Sequence, residues 1–270
     1  MPRESFKEFK QIIQGEKLER QKKKKDWWHA PFRFVSKYIT WILVKSSVTP
    51  NFITITGFLI GLIGLLLIGI GNNLFIIIGF ILVYIYYVSD EIDGEVARYK
   101  KQVSIRGIYY DEIGHLLFLG VFFFSFGYSI FRFNSEFIYV IFGLLSSFFL
   151  SGIRITRKIP ILLSTKTEIL KHIETEHEIM EKINSKKGFK TIFKKIMLNL
   201  INGFTHQTPI TTIFFIGFLI FINVGFLMIL EVIMIFYFFF MFIIFIIFIF
   251  KTSKGIEENV LERYRSQQST

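Results

Sequence analysis

Asp90, Asp93, Gly94, Ala97 and Arg98 are followed, after eight further residues, by Gly107, Asp111 and His115. Three carboxylates, a guanidinium and an imidazole thus lie in one short stretch beside long apolar runs. Charged groups at the mouth of a membrane span are costly to place there, so the cluster reads as functional. If the stretch is helical, Asp90, Asp93 and Ala97 share a face, Gly94 and Arg98 share another, and Asp111 and His115 project together. Gly94 and Ala97 are small enough to let a ligand or a second backbone come close. Clustered carboxylates repel one another unless a cation sits between them. Hard divalent cations such as Mg²⁺ prefer oxygen ligands and usually bridge to substrate phosphates. A pair of such ions can clamp the attacking and leaving oxygens of a displacement at phosphorus. Arg98 suits a phosphate, or the fixing of a carboxylate. The chemistry implied is attack of a hydroxyl on an activated phosphate. Histidine, with a reference pKa of about 6.5, is able to take the hydroxyl proton near neutral pH.

The elements that must hold these groups are helices. Of the 270 residues 52% are hydrophobic, and phenylalanine alone contributes 35. Long unbroken apolar runs at this level specify an all-α, polytopic membrane protein. Six spans are expected: 52–70, 74–89, 108–130, 137–153, 209–228, and a last one from a turn at Glu231 to near Phe250. Each is close to the ~20 residues a bilayer requires. Thr49 is a candidate cap with Pro50 in the first turn. Gly57, Gly61 and Gly64 favour close helix packing, within the protein or across a homodimer. Gly71-Asn72-Asn73 reads as a tight turn. Residues 27–46 mix Trp, Phe and Tyr with Arg33, Lys37 and Lys45, which suits a helix lying in the membrane interface. Phe189 to Leu200 has the same character and is expected to be a second interfacial amphipathic helix. The chain divides into a basic arm with interfacial helix (1–47), a six-span domain (48–250) and a charged tail (251–270). Within the domain, 90–115 is the motif and 154–208 a polar loop. The arm before residue 27, with its Lys22 to Lys25 run, reads as solvated and partly disordered, with an attraction for anionic headgroups.

Charge orients the chain. Of the 32 Lys and Arg residues, 31 fall on one side of the six spans, and Arg132 is the exception. Basic loops mark the cytoplasmic side, so both termini and the motif are expected there, in the cell membrane. The net charge of +11 is then a topology signal, and no nucleic-acid partner is needed to explain it. With no cysteine, disulfides and thiolate metal sites are excluded. No cleavable leader is expected in the charged first thirty residues.

The motif resembles the signature of the CDP-alcohol phosphatidyltransferase family: Asp, two residues, Asp-Gly, two residues, Ala-Arg, about eight residues, then Gly, Asp and Asp at four-residue steps. Asp90, Asp93, Gly94, Ala97, Arg98, Gly107 and Asp111 match in type and spacing, and His115 stands where the pattern has its last aspartate. The six spans, the interfacial helix and the Thr49-Pro50-Asn51 opening are similar to that family too. The resemblance implies transfer of a phosphate-linked alcohol group from a CDP-linked donor to an acceptor hydroxyl, with release of CMP, in phospholipid biosynthesis. It implies that Asp90, Asp93 and Asp111 bind divalent metal, Mg²⁺ or Mn²⁺. Asp93, Gly94, Ala97, Arg98 and Gly107 would shape the CDP site, and the base role would pass to His115. The partners implied are a CDP-linked lipid or alcohol, an acceptor alcohol, the bilayer and a second copy in a homodimer.

The exchange at position 115 has physical consequences. An aspartate there could be both metal ligand and base. Histidine keeps the base capacity, removes one negative charge, and suits transition metals better than Mg²⁺. A variant active site is the preferred reading; the alternative is an inactive CDP-lipid-binding or assembly subunit of the same fold. A transporter is disfavoured, because the charges gather at one boundary and line no path through the spans. Arg154 and Arg157 read either as a basic flank or as a pocket for an acceptor phosphate, and Arg154 resembles the first of two arginines found here in family members. His172, His177 and His206 read as surface residues. Glu91, Glu95 and Glu112 are expected to be solvated or paired with Lys100, Lys101 or Arg106.

Overall fold

The computed structural model describes residues 5–24, 29–166 and 206–268. Among these residues there are eight helices, and six are long and apolar enough to cross a membrane. The protein is therefore an integral membrane protein. Helices α1 (Phe6–Lys24) and α2 (Ala30–Leu43) precede the spanning set of α3 (Pro50–Gly69), α4 (Asn73–Lys100), α5 (Ile105–Asn134), α6 (Ile138–Lys166), α7 (Gln207–Val224) and α8 (Met228–Gln268).

Start signals act where local chemistry places them. Thr49 is extended, and its hydroxyl accepts from the Phe52 amide with Pro50 in the first turn. This satisfies one orphan donor of α3. Asn72 caps α4 in the same way through Leu74, and Ser104 caps α5 through Gly107.

The motif helix is held by close backbone approach. A Cβ on Gly64 would lie 2.7 Å from the Gly79 carbonyl oxygen, and one on Gly79 would lie 2.6 Å from that of Gly64. Only glycine permits α3 and α4 to meet at this distance. Gly57 and Gly61 face Ser89 and Tyr86 of α4, so the glycine stripe of α3 is used within the protomer. The apolar core continues inward through Phe80, Phe118, Phe122, Phe126 and Phe214.

Helix α2 is turned inside out for a soluble protein. Its buried residues are Arg33, Ser36, Lys37 and Thr40, whereas Phe34, Ile42 and Tyr38 are 61%, 66% and 48% exposed. A helix with its polar face on the protein and its apolar face outward fits the membrane interface.

Several boundaries differ from those read in the sequence. The N-terminal arm is a docked helix: Phe9 and Ile13 are fully buried, and Phe9 packs on Trp41 and Tyr99. Apolar residues spaced along an otherwise charged segment supply the anchor, which a charge count overlooks. Helix α4 runs unbroken through the motif to Lys100. Of the polar segment expected at 154–208, the beginning is helical, because α6 continues to Lys166, and α7 already starts at Gln207. Its expected amphipathic helix, Phe189 to Leu200, lies outside the described residues, as do His172 and His177. The turn expected at Glu231 falls at Gly225, which has a φ of +71°; Glu231 sits in the first turn of α8 and accepts from Asn134 Nδ2 at 2.8 Å. The charged tail is helical as far as Gln268.

Candidate active site

Helices α4 and α5 carry the motif and meet at one end of the bundle. Between them the chain reverses in four residues. Lys101 closes α4 in the left-handed region, at φ 54°, and the Gln102 amide returns to the Ala97 carbonyl at 2.9 Å. This reversal turns the eight-residue spacer between Arg98 and Gly107 into a connection that faces Asp90 toward Asp111. The opening of α3 packs on the same junction: a Cβ on Gly107 would lie 2.8 Å from Asn51 Oδ1. The Thr-Pro-Asn start and the motif glycine thus belong to one contact.

His115 is the centre of the arrangement. Its Nε2 lies 3.1 Å from Asp90 Oδ1 and 3.2 Å from Asp111 Oδ1. Its Nδ1 lies 3.0 Å from the Tyr86 hydroxyl. Asp93 is one turn beyond Asp90 and accepts from the Thr54 hydroxyl at 2.6 Å. Asp90, Asp93 and Asp111 line one small cavity together with Thr54 and Tyr86. Asp111 is the most exposed of the groups around the imidazole at 41%, against 15% for His115. The site is thus most open at the Asp111 end, and Gly57, Phe58 and Gly114 complete the cavity lining.

The donor set fits a divalent cation. Asp90, Asp111 and His115 each offer a ligand atom, and these atoms lie within 4.8 Å of one another. Two carboxylate oxygens and an imidazole nitrogen form a mixed hard and borderline set. Asp93 stands beside the trio with an oxygen held by Thr54.

The rest of the expected CDP set is divided. Gly94 and Ala97 follow the aspartates along α4, and a Cβ on Gly94 would meet the Arg98 guanidinium at 3.2 Å, so these two share a face as expected. Arg98 itself reaches the N-terminal helix: its Nε donates to the Ile13 carbonyl of α1 at 2.6 Å. Arg154 lies at the site end of α6 and pairs with Glu112 at 3.2 Å, and Lys158 pairs with the same carboxylate. Arg157 points elsewhere, over the Phe248 ring of α8 at 4.6 Å. The structure therefore separates the two arginines.

Glu91 and Glu95 correct the expectation of solvated carboxylates. They are 2% and 0% exposed, on the side of α4 that faces α1 and α2. Glu91 accepts from Arg33 Nε at 3.1 Å and pairs with His29 Nδ1 at 3.0 Å. Glu95 accepts from Gln14 Nε2 at 2.5 Å, Ser36 at 2.8 Å and Thr40 at 2.6 Å. Their partners come from α1 and α2, and Lys100 instead donates to the Ser46 and Val48 carbonyls. His206, expected at the surface, is part-buried with its Nε2 3.0 Å from that of His29. Helix α4 thus bears two polar faces: one faces the cavity, and the other fastens the interfacial helices to it.

Glu95→Ala would take the acceptor from the buried Thr40 hydroxyl and leave Gln14 and Ser36 with only the Arg33 carbonyl. Its expected cost is on the order of 3 kcal/mol, read as a lower unfolding midpoint in detergent. Cleavage within residues 5–24 should accelerate at the same time, because the Gln14 anchor of α1 is reduced to its bond with the Arg33 carbonyl.

Sequence reasoning missed Tyr86, Thr54 and Gln14. Tyr86 was within reach, since it lies four residues before Asp90 on the same stripe of α4. Gln14 carries no sequence signal that distinguishes it from its solvated neighbours.

A family model described as CDP-alcohol phosphatidyltransferase matches residues 47–250 of the chain. No curated protein matches it.

Proposed function

The chain belongs to the CDP-alcohol phosphatidyltransferase family, and from that premise we propose that it moves a phosphate-linked alcohol group from a CDP-linked donor to an acceptor hydroxyl, releasing CMP. The observation that supports this best is the gathering of Asp90, Asp111 and His115 around one point, with Asp93 lining the same cavity. The family places the enzyme among the membrane transferases of phospholipid synthesis that use divalent metal.

In the proposed reaction the acceptor oxygen forms a bond to the donor phosphorus distal to the cytidine monophosphate. The bond between that phosphorus and the CMP oxygen breaks. The acceptor's proton passes to His115 Nε2. Asp90, Asp93 and Asp111 are the proposed metal ligands, with Mg²⁺ or Mn²⁺ as the metal. When bound, such an ion supplies Lewis-acid polarisation of the phosphates and charge balance for the departing CMP. Asp90 and Asp111 also hold the imidazole in place. Gly94, Ala97 and Gly107 leave room for the nucleotide, and Arg98 braces that wall against α1. Arg154, already held by Glu112, is the proposed contact for an acceptor phosphate; Arg157, stacked on Phe248, is the weaker candidate.

The basic residues that flank the spans support a cytoplasmic site in the cell membrane, with both termini on that side. A homodimer is the proposed assembly. Because the α3 glycines are used inside the protomer, its interface would draw on other lipid-facing surfaces.

The test is release of CMP from a CDP-linked lipid by the purified protein in detergent or nanodiscs, with Mg²⁺ or Mn²⁺, and mass spectrometry of the lipid formed. Turnover that EDTA abolishes and either ion restores is the expected result. Binding of the CDP-lipid without CMP release, under any metal and with any acceptor alcohol, would replace this reading with that of a non-catalytic subunit.

A further inference from the structure

Arg98 is engaged on one edge of its guanidinium and not on the other. Its Nε donates to the Ile13 carbonyl of α1 at 2.6 Å. Its two Nη atoms lie back over Gly94, where a Cβ would stand 3.2 Å from Nη1 and 3.8 Å from Nη2. Nη2 is buried and has no hydrogen-bond partner among the described residues. Buried N–H groups are normally paired, so this edge calls for an acceptor. The stretch of α1 that supplies the carbonyl is firmly seated. Phe9 and Ile13 are fully buried, and the Phe9 ring lies 4.7 Å from that of Trp41 and 5.2 Å from that of Tyr99. Gln14, the next residue, donates to Glu95 and to the Arg33 carbonyl.

We propose that α1 is a positioning element for the nucleotide: by holding Arg98 Nε, it fixes the guanidinium so that its Nη edge meets the diphosphate of the CDP-linked donor beside Gly94. This rests on the CDP-binding role given to Arg98 above. An arginine side chain is rich in rotamers. A fork already set in one of them binds phosphate with less loss of freedom. A backbone carbonyl suits the task, because it is a neutral acceptor. It steers the guanidinium and leaves its positive charge for the phosphates, which a carboxylate partner would neutralise. Glu95, one turn earlier on α4, is the carboxylate that could draw Arg98 aside. Its oxygens are instead taken up by Gln14, Ser36 and Thr40. Gln14 therefore acts twice: it fastens α1, and it occupies the competing carboxylate. Helix α1 precedes residues 47–250, which carry the family pattern, so this support comes from outside that pattern.

The experiment compares CDP binding, by calorimetry, and donor kinetics for the full-length protein and Phe9→Ala in nanodiscs. The substitution removes an anchor of α1 and leaves Arg98 in place. CDP affinity should fall and the donor KM should rise roughly 10- to 100-fold, the scale of one hydrogen bond to a charged group, with kcat little changed. Phe9→Leu, which keeps an apolar anchor, should retain the parent's affinity. In an Arg98→Ala background Phe9→Ala should cost nothing further, since no guanidinium remains to position. The chain has no cysteine, so a fluorophore on Ile12→Cys, a position 45% exposed, reports on α1 alone and should show its release. Ile13→Ala, which removes the other anchor, takes the place of Phe9→Ala if that variant does not fold. Equal losses of affinity in both backgrounds would mean that α1 acts through general packing, and would overturn the proposal. Release of α1 with CDP affinity unchanged would overturn it as well. CDP binding without CMP release would instead remove the transfer reaction, while the binding comparison still decides the role of α1. A parent protein that binds no CDP would overturn both.

Discussion

Replacing Asp90 with alanine is expected to lower CMP release by roughly a thousandfold, the scale at which a preorganised electrostatic group is lost from a reaction centre. Two functions meet at this carboxylate. It is a proposed metal ligand, and its Oδ1 is 3.1 Å from His115 Nε2. Loss of the side chain would loosen the cation and leave the imidazole held from Asp111 and Tyr86 alone. The protein should still fold, because the side chain is a quarter exposed and the α3–α4 contact depends on Gly64 and Gly79. Metal binding read directly, with Mn²⁺ and electron paramagnetic resonance, should weaken along with activity. Asp93→Ala should also suppress turnover strongly, although its carboxylate is held by Thr54 and lies outside the Asp90–Asp111–His115 trio. Activity that survives Asp93→Ala would sink the assignment of that residue to the metal site.

His115→Ala should reduce turnover by about 10²- to 10⁴-fold, the usual contribution of a positioned general base. The more informative exchange is His115→Asp, which completes the family pattern. It returns one negative charge beside Asp90 and Asp111 and removes the imidazole between them. Tighter Mg²⁺ binding and turnover within about tenfold of the parent are expected on the same general-base scale. If alanine at 115 leaves turnover intact, the proton goes elsewhere and the histidine is a structural bridge between the carboxylates.

The features that could be read without the fold are those with a local cause. A run of apolar residues must cross lipid as a helix because no water is there to satisfy its backbone, so the six spans follow from composition. Thr49 with Pro50 marks a helix start through the chemistry of its own side chain. The placing of Asp90 with Asp93, and of Asp111 with His115, follows from helical periodicity, and the motif spacing carries the family. What the chain does with Glu91, Glu95 and Arg98 has no local cause. Glu91 and Glu95 read as solvated or surface-paired charges and Arg98 as a phosphate contact, yet each is fastened to α1 or α2 by partners 55 to 85 residues away in sequence. The same holds for the Tyr86–His115 contact, which exists because Gly61 lets a tyrosine ring lie flat against α3 and because Lys101 turns α5 back toward α4. Sequence alone therefore determined which residues could do chemistry and on which helix faces they stand. Tertiary structure decided which groups meet, since a hydrogen bond requires approach to about 3 Å, and that approach is set by how closely glycine-bearing helices pack and where the chain reverses.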